Sequence, residues 1–176
     1  MHTLWPRLLG TLCGIAFLSV TAHAADIGNL RYSAKVKVSV SATENIKGSV
    51  SSYLNRELRS LSDVELVDNK PEWEIIVIAM ELMTVGNYKT GIALSTVVIR
   101  SFRNEMLSGL FEPKFKDTGL TLTSELFGYP DAWLNTGSTN DLQTLCKTIV
   151  AQFDTKHLEE SRKVFRQLKE ILEKSK

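Results

Sequence analysis

The amino-acid sequence predicts an α/β (α+β) fold: a mixed, mainly antiparallel sheet of about four strands, one helix after the first strand, and one or two C-terminal helices packed on the sheet. Three observations lead to this class. Strand-like runs of alternating or β-branched apolar residues fill the first half of the chain, a helical periodicity follows the first of these runs, and helical periodicity returns near the C-terminus. Strand and helix regions of this kind are typical of layers packed around one core.

The N-terminal segment has the features of an export signal. Arg7 precedes an uncharged run, Leu8 to Val20, which is too short to span a bilayer because a span needs about 20 apolar residues. Small residues then surround His23 at the positions that a signal peptidase reads. We expect a signal peptide at residues 1–24, cleaved between Ala24 and Ala25, and a single α/β domain at residues 25–176. A retained membrane anchor is the alternative.

The first strand and helix follow each other closely. Valines alternate with polar residues from Lys35 to Val40, which predicts a half-buried strand. Thr43 then has the position of an N-cap, and apolar residues three and four apart predict a helix from about Glu44 to Ser60. A short second strand is expected from Asp63 to Val67, before turn residues and a proline.

Two longer strands come next. Trp73 to Met83 is nearly continuous in apolar character and rich in β-branched residues, which predicts a central strand covered on both faces for most of its length. Ile92 to Ile99 has a similar pattern. The intervening loop contains Asn87 between two glycines and predicts an antiparallel hairpin.

The segment from Arg100 to Gly137 has no clear periodicity, yet it contains too many apolar residues for a disordered linker. We expect it to fold back on the domain, either as a functional surface or with short strands. Capping residues at Ser138 to Asp141 precede a helical pattern from Leu142 to Phe153. A stretch from about Leu158 to Glu173 is a second amphipathic helix or a continuation of the first.

Composition argues against several classes of function. Without residues 1–24 the chain has 20 basic and 20 acidic residues, so nothing attracts nucleic acid over long range. Cys146 and His157 are then the only cysteine and the only histidine. An internal disulfide is therefore excluded, and a zinc site, which needs three or four such ligands, is not expected. We expect no metal, no cofactor and no nucleic-acid partner.

The catalytic inventory is equally poor. Cys146 and His157 are the only nucleophile and base of the cysteine–histidine type, and eleven residues of helix would separate them by about 16 Å. We therefore expect Cys146 to be a core residue and His157 to be an exposed helix residue. Glu81 interrupts an apolar run, and we expect an end-of-strand residue reaching solvent rather than a buried functional acid. No catalytic residue is predicted, and the protein is not expected to be an enzyme.

Two groups of residues are candidates for binding a partner. Arg56 and Arg59 lie three apart, hence on one helix face, and can contact an acidic partner or form an ordinary solvated face. Phe127, Tyr129 and Trp133 place amphipathic rings in the segment without regular periodicity, as binding surfaces often do. The alternative for these rings is that they close one end of the core.

The order strand, helix, strand, strand, strand, helix behind an export signal resembles the small α/β domains of bacterial envelope proteins. Examples are the amino-terminal domain of the Tol system's periplasmic protein and the periplasmic domain of the curli secretion lipoprotein. The similarity lies in Ser52 to Asp68, where a helix with Arg56 and Arg59 runs into a short strand with Val64 and Leu66. This resemblance implies an adaptor or assembly role in the cell envelope and assigns no functional residue.

The leading functional hypothesis is therefore an exported envelope protein, periplasmic or secreted, that acts as a non-enzymatic protein-binding or assembly-accessory module. Its expected partner is another envelope protein, and no stable transmembrane anchor is expected after processing. The alternative is a periplasmic small-ligand-binding module that uses the aromatic segment from Phe127 to Trp133. An enzyme that relies on acidic residues alone comes third.

Overall fold

The computed structural model describes residues 30–101 and 127–174. The expected signal peptide with its cleavage site, and the middle of the segment expected to be irregular, lie outside these described residues. The chain divides into two compact units, one formed by residues 32–160 and the other by residues 1–31 with residues 161–176. The single domain expected for residues 25–176 stays a prediction.

The larger unit contains a five-stranded mixed sheet. The strands are β1 (Ala34–Ala42), β2 (Val64–Leu66), β3 (Trp73–Met83), β4 (Lys89–Ser101) and β5 (Phe127–Gly137). Their order across the sheet is β2-β1-β3-β4-β5. β1 is parallel to β2 and to β3, whereas β3 with β4 and β4 with β5 are antiparallel. The α/β class, the mixed sheet and the central position of β3 are thus confirmed, with one strand more than expected.

The helices are α1 (Glu44–Arg59), α2 (Leu142–Phe153) and α3 (Glu159–Lys174). A 3-10 turn (Thr139–Asp141) precedes α2, and a π-helical turn (Asp154–Leu158) joins α2 to α3. Most of α3 belongs to the smaller unit, where the Lys169 Nζ donates to the carbonyl of Leu30 at 3.4 Å.

Helix α1 forms where the apolar spacing predicts it. Thr43 occupies the N-cap position with extended backbone angles, but its side chain makes no capping hydrogen bond. The 3-10 turn that leads into α2 has the expected cap: the Ser138 hydroxyl accepts from the backbone N–H of Asn140 at 3.2 Å, and the Asp141 carboxylate accepts from the N–H of Ser138 at 3.2 Å. These bonds satisfy backbone donors at a helix start, which fixes the entry into α2.

One face of the sheet carries the core. Apolar side chains from α1 and α2 pack there against the strands. The largest fully buried side chains of the described residues are Leu54, Leu58, Ile75, Ile92, Leu94, Ile149, Phe153 and Leu158. Burying side chains of this size contributes about 1.5 to 3 kcal/mol each. The core therefore consists of ordinary apolar packing, as the sequence predicts for a chain without an internal disulfide.

One expectation about the strands needs correction. The expected cover on both faces of β3 is wrong, because Trp73, Ile75, Val77 and Ala79 are buried while Ile78 and Met80 are exposed. The segment without clear periodicity, for which short strands were one of the alternatives, ends in the strand β5, which covers Phe127–Gly137 and pairs with β4. The remainder of that segment, residues 102–126, lies outside the described part of the chain.

Candidate functional site

The central strand β3 presents apolar side chains to solvent. Successive residues of a strand point to opposite faces, so when Ile75 and Val77 enter the core, the alternate residues point away from it. Ile78, Met80 and Leu82 are 44%, 52% and 40% exposed. A central strand whose outer face is apolar and accessible is unusual for a protein that acts alone.

Leu134 on β5 extends this surface across the sheet. Ile78 pairs with Ser95 of β4, and Ser95 pairs with Leu134, so the three residues share one face. Leu134 is 64% exposed. We call the four side chains of Ile78, Met80, Leu82 and Leu134 the open face. Exposed apolar side chains that share one face of a sheet are candidates for a protein or membrane interaction site.

The hairpin between β3 and β4 continues the exposed apolar character beyond the open face. Met83, Val85 and Tyr88 are all exposed. Asn87 has a φ of 60°, a left-handed conformation that asparagine adopts more readily than most residues. The turn is closed by backbone hydrogen bonds between Thr84 and Tyr88 at 2.9 Å and between Asn87 and Thr84 at 2.9 Å. The hairpin tip is thus a defined turn that carries apolar side chains.

Charges on the same side of the sheet occur in a compensated cluster at the other end of β3. Glu74 forms an ion pair with the Lys37 Nζ at 3.3 Å and accepts a hydrogen bond from the Ser39 hydroxyl at 2.6 Å. Exposed pairs of this kind contribute little to stability, typically about 0 to 1 kcal/mol. This side of the sheet is consequently apolar toward the hairpin, where the open face lies, and polar but charge-balanced near Glu74.

The two arginines singled out from the sequence lie in the last turn of α1. Arg56 is held by neighbours on its own helix, because its guanidinium lies 5.2 Å from the centre of the Tyr53 ring and 3.1 Å from the Glu57 carboxylate. Arg59 is exposed. The structure thus leaves both arginines at the surface of α1, and their role in partner binding stays a prediction.

Trp133, the main aromatic candidate, points toward the helix-covered side of the sheet. It pairs with Thr96 of β4, which is fully buried, and its ring packs against the core. Its indole plane lies 19° from that of the His157 imidazole, with centroids 6.5 Å apart. Within the described part of the chain, the indole Nε1 is buried without a hydrogen-bond acceptor. This placement favours the interpretation of Trp133 as part of the core boundary.

Tyr129 and Phe127 lie on the first half of β5. The placement of their side chains is outside what the structure describes. The residue between Tyr129 and Asp131 is Pro130, which has no backbone N–H to donate and is tolerated at the edge of a sheet. Partner binding by Phe127 and Tyr129 stays a prediction.

His157 is half-buried, which corrects the expectation of an exposed helix residue. The π-helical turn places its ring beside Trp73 and Phe153, with centroids 5.4 Å and 5.8 Å away. Burial among these rings lowers the pKa of His157; the Asp131 carboxylate acts against this shift, and Lys156 and Arg100 add to it. The imidazole is therefore held mainly in its neutral form near pH 7.

Cations surround the same aromatic cluster. The Lys156 Nζ lies 5.2 Å from the centre of the Trp133 ring and 2.7 Å from the Asp131 carboxylate, and this hydrogen bond lowers the pKa of Asp131. The Arg100 guanidinium lies 4.8 Å from the centre of the Trp73 ring. Cations over indole faces are attracted by the ring quadrupole. These contacts join the π-helical turn after α2 to β5, and β4 to β3.

Glu81 and Cys146 have structural roles. The Glu81 side chain is 10% exposed, so it lies between the expected residue reaching solvent and a buried functional acid; it is paired with Lys89 at 2.6 Å and with Asn45 at 3.2 Å. The hydrogen bond from Lys89 lowers the pKa of Glu81, which suits an ionised partner rather than a general acid. Cys146 is fully buried as expected, and burial raises the pKa of its thiol to about 11.

Residues 30–101 and 127–174 contain no cluster of three or more metal-ligating side chains. Among the helices in these same ranges, none combines the length and the apolar character that crossing a membrane requires. The open face was not predicted from the sequence. A signal for part of it existed, because an apolar residue occupies nearly every position of β3, but the pattern does not reveal which face is exposed.

Comparison with known proteins identifies a distant structural similarity. The chain matches no family model and no curated protein sequence. It is similar to a PelC dodecamer chain from Paraburkholderia phytofirmans, with 12% identity and a TM-score of 0.36 over 71% of this chain and 89% of that one. A single-residue variant of the same PelC dodecamer matches with 11% identity and a TM-score of 0.37, over 68% and 84%. At this level the similarity assigns neither a function nor an assembly to the chain.

Proposed function

We propose that this protein is an exported component of the bacterial cell envelope that binds another envelope protein through the open face, as a non-enzymatic assembly or adaptor module. The observation that carries the proposal is the apolar, accessible outer surface of the central strand. Burying an exposed side chain such as Met80 or Leu134 at an interface gains about 25 cal/mol for each square ångström removed from water. A partner that covers these side chains therefore gains stability without any charged contact.

The chemistry of the open face defines the surface of the partner. Four apolar side chains share one face of the sheet, and Glu74, at the other end of that face, is already paired with Lys37 at 3.3 Å. An unpaired charge brought against such a surface would lose water without gaining a counter-charge. The partner is accordingly expected to offer an apolar patch of similar extent with polar groups at its rim, as interfaces commonly do.

Site-specific photocrosslinking in intact cells tests the proposal. A photoreactive amino acid is placed at Met80 or Leu134 on the open face, and at Lys147 on α2 as a control that is exposed but lies on a helix. Illumination is expected to give the same discrete adduct from Met80 and from Leu134, and no such adduct from Lys147. Mass spectrometry of the adduct identifies the partner. Absence of an adduct at both open-face positions, or an identical adduct from Lys147, would contradict the proposal.

A pair of substitutions separates binding from folding. Met80→Ser and Leu134→Ser remove apolar surface that is already exposed, so each is expected to change the free energy of unfolding by less than about 1 kcal/mol. Recovery of the partner in an affinity purification is expected to fall several-fold, because central apolar anchors dominate interface energies. A marked loss of stability would instead show that the open face is covered within the protein itself.

A further inference from the structure

The hairpin tip, residues 84–88, joins β3 to β4 and carries two large exposed side chains. Val85 is fully exposed, and Tyr88 is 75% exposed. None of the residues of the tip is charged. Exposed tips of loops usually carry small or polar residues. An uncharged tip with an aliphatic and an aromatic side chain instead has the composition of the centre of an interface.

The backbone of the tip is closed on itself. The N–H of Thr84 donates to the carbonyl of Tyr88 at 2.9 Å, and the N–H of Asn87 donates to the carbonyl of Thr84 at 2.9 Å. The N–H of Tyr88 donates to the Thr84 hydroxyl at 3.3 Å. A buried backbone donor without an acceptor costs free energy. Because these donors already have acceptors within the tip, an apolar partner surface can cover them without leaving them unpaired.

The base of the hairpin is joined across its two strands and to α1. The Lys89 Nζ of β4 lies 2.6 Å from the Glu81 carboxylate of β3, which also accepts from Asn45 of α1 at 3.2 Å. The Thr90 hydroxyl donates to the carbonyl of Leu82 at 3.0 Å. Contacts of this kind favour one conformation of the tip before a partner binds, which reduces the entropy lost on binding.

The Tyr88 ring has a defined place on the tip. A Cβ atom on Gly86 would lie 3.0 Å from the Cδ2 and Cε2 atoms of Tyr88, so the ring rests against the backbone of Gly86. Tyrosine combines a large apolar ring with few rotatable bonds, and it is enriched among the residues that dominate interface energies. Tyr88 therefore has the position and the chemistry of an anchor, with Val85 in the same turn.

We propose that the hairpin tip inserts into an apolar cleft of the same envelope protein that covers the open face, with Val85 and Tyr88 as anchors. This insertion rests on the proposed function. The two surfaces are continuous along β3, because Met80 and Leu82 of the open face precede the tip on that strand. A turn of defined shape fits a concave surface. The cleft is accordingly expected to have apolar walls and a hydrogen-bonding group for the Tyr88 hydroxyl.

A lipid surface fits the tip less well. Between residues 81 and 90 the only charged side chains are Glu81 and Lys89, which are paired with each other, so the hairpin offers no unpaired cation to lipid phosphates. Attraction to anionic lipids depends on such cations. A lipid surface also has no fixed shape, so it gains nothing from the defined place of the Tyr88 ring.

Photocrosslinking in intact cells tests the insertion. A photoreactive amino acid at Val85 is expected to capture the same protein as Met80 and Leu134 do, with the attachment in a different segment of that protein. Mass spectrometry of the digested adducts locates each attachment. Adducts from Met80 and Leu134 without one from Val85 would overturn the insertion and leave the proposed function standing. Absence of adducts at Met80 and Leu134 would overturn the proposed function, whatever Val85 captures.

Binding of the purified protein to the captured protein tests the fit. Val85→Ser and Tyr88→Ser are each expected to weaken binding by at least about tenfold without shifting the denaturant midpoint, because both side chains are already exposed. Gly86→Ala keeps both anchors but displaces the Tyr88 ring, and it is expected to weaken binding by at least about fivefold, as overpacking does. Gly48→Ala is the matched control: a Cβ atom there meets nothing within 4 Å, so binding is expected to stay unchanged.

Two results would overturn the fit to a cleft. If Gly86→Ala bound as tightly as Gly48→Ala, the place of the Tyr88 ring would not matter to the partner. If the protein cosedimented with vesicles of phosphatidylethanolamine and phosphatidylglycerol, and Val85→Ser and Tyr88→Ser abolished this, lipid would be the surface that covers the tip.

Discussion

The indole ring of Trp133 stacks on the imidazole of His157, with centroids 6.5 Å apart and planes inclined by 19°. Trp133 comes from β5 and His157 from the π-helical turn that follows α2, so the contact joins the edge of the sheet to the end of a helix. Trp73 from β3 and Phe153 from α2 complete the cluster. The stack therefore fixes the position of β5 against the core, which explains why Trp133 does not project into solvent.

We predict that Trp133→Ala destabilises the protein by about 3 kcal/mol, because it removes a large ring from a partly enclosed aromatic cluster. Leu134→Ala is the matched control: it is the next residue of the same strand, points to the opposite face and is 64% exposed. It is expected to cost less than about 1 kcal/mol. Denaturant unfolding of the two variants gives both values. A loss below about 1 kcal/mol for Trp133→Ala would restore this side chain as a surface anchor.

We predict that the folded protein loses stability as the pH falls below about 6.5, the ordinary pKa of histidine. Burial lowers the pKa of His157 in the folded state, so in this range the unfolded chain takes up a proton that the folded chain does not. The stability associated with the neutral imidazole is present above about pH 6.5 and is lost as the pH falls through the lowered pKa. Unfolding free energies measured between about pH 7.5 and about pH 5 test this.

The variant His157→Gln separates this titration from the others. Its stability is expected to change less with pH in the same range. Asp131 and Glu81 do not interfere, because their pKa values are lowered from already acidic ones and the stability they contribute is lost only in more acidic solution. A pH dependence that is identical in the variant and the original protein would assign the effect to other groups than the imidazole.

Strand β5 could not be recognised from the sequence because polar residues lie on its core-facing side and an apolar residue lies on its solvent-facing side. Asp131 and Asn135 pair with Val98 and Leu94, which are buried, and Leu134 points outward. Asp131 is accommodated by its ion pair with Lys156 at 2.7 Å. Pattern analysis expects apolar residues inside and polar ones outside, so it does not detect a strand whose inward positions are satisfied by such contacts.

The central strand β3 shows the opposite situation. Its existence and position were predicted correctly from a run of β-branched residues, whereas the predicted burial of both faces is wrong. A run in which Ile75, Ile76, Val77 and Ile78 are all apolar contains no information about which face is covered. His157 was misplaced for a different reason: a π-helical turn adds a residue to the helical period, and it brought the imidazole against Trp73.

We predict that Cys146 does not react with thiol reagents while the protein is folded. The side chain is fully buried in α2, and burial raises the pKa of the thiol to about 11. Near pH 8 the reactive thiolate is therefore about a hundredfold rarer than it would be for a thiol with the ordinary pKa. Labelling with a maleimide is expected to become complete only on addition of denaturant. Rapid labelling of the folded protein would place Cys146 at the surface and permit an intermolecular disulfide.

Substitution by alanine is expected to have opposite effects at Gly91 and at Gly48. A Cβ atom on Gly91 would lie 2.6 Å from the backbone carbonyl oxygen of Gly137, where β4 and β5 approach closely. Backbone atoms cannot rotate away as a flexible side chain can, so the strands must separate. We expect Gly91→Ala to destabilise the protein by about 1 to 3 kcal/mol, as overpacking in a well-packed site does.

Gly48 lies on the exposed side of α1, and a Cβ atom there meets nothing within 4 Å. Gly48→Ala is therefore expected to stabilise the protein by about 0.5 to 1 kcal/mol, because alanine loses less backbone entropy in a helix. Chemical unfolding of both variants, compared at equal denaturant slopes, measures the two effects with one method. If Gly91→Ala proved as harmless as Gly48→Ala, the close approach of β4 to Gly137 would be wrong, and with it the register that places Leu134 beside Ile78 on the open face.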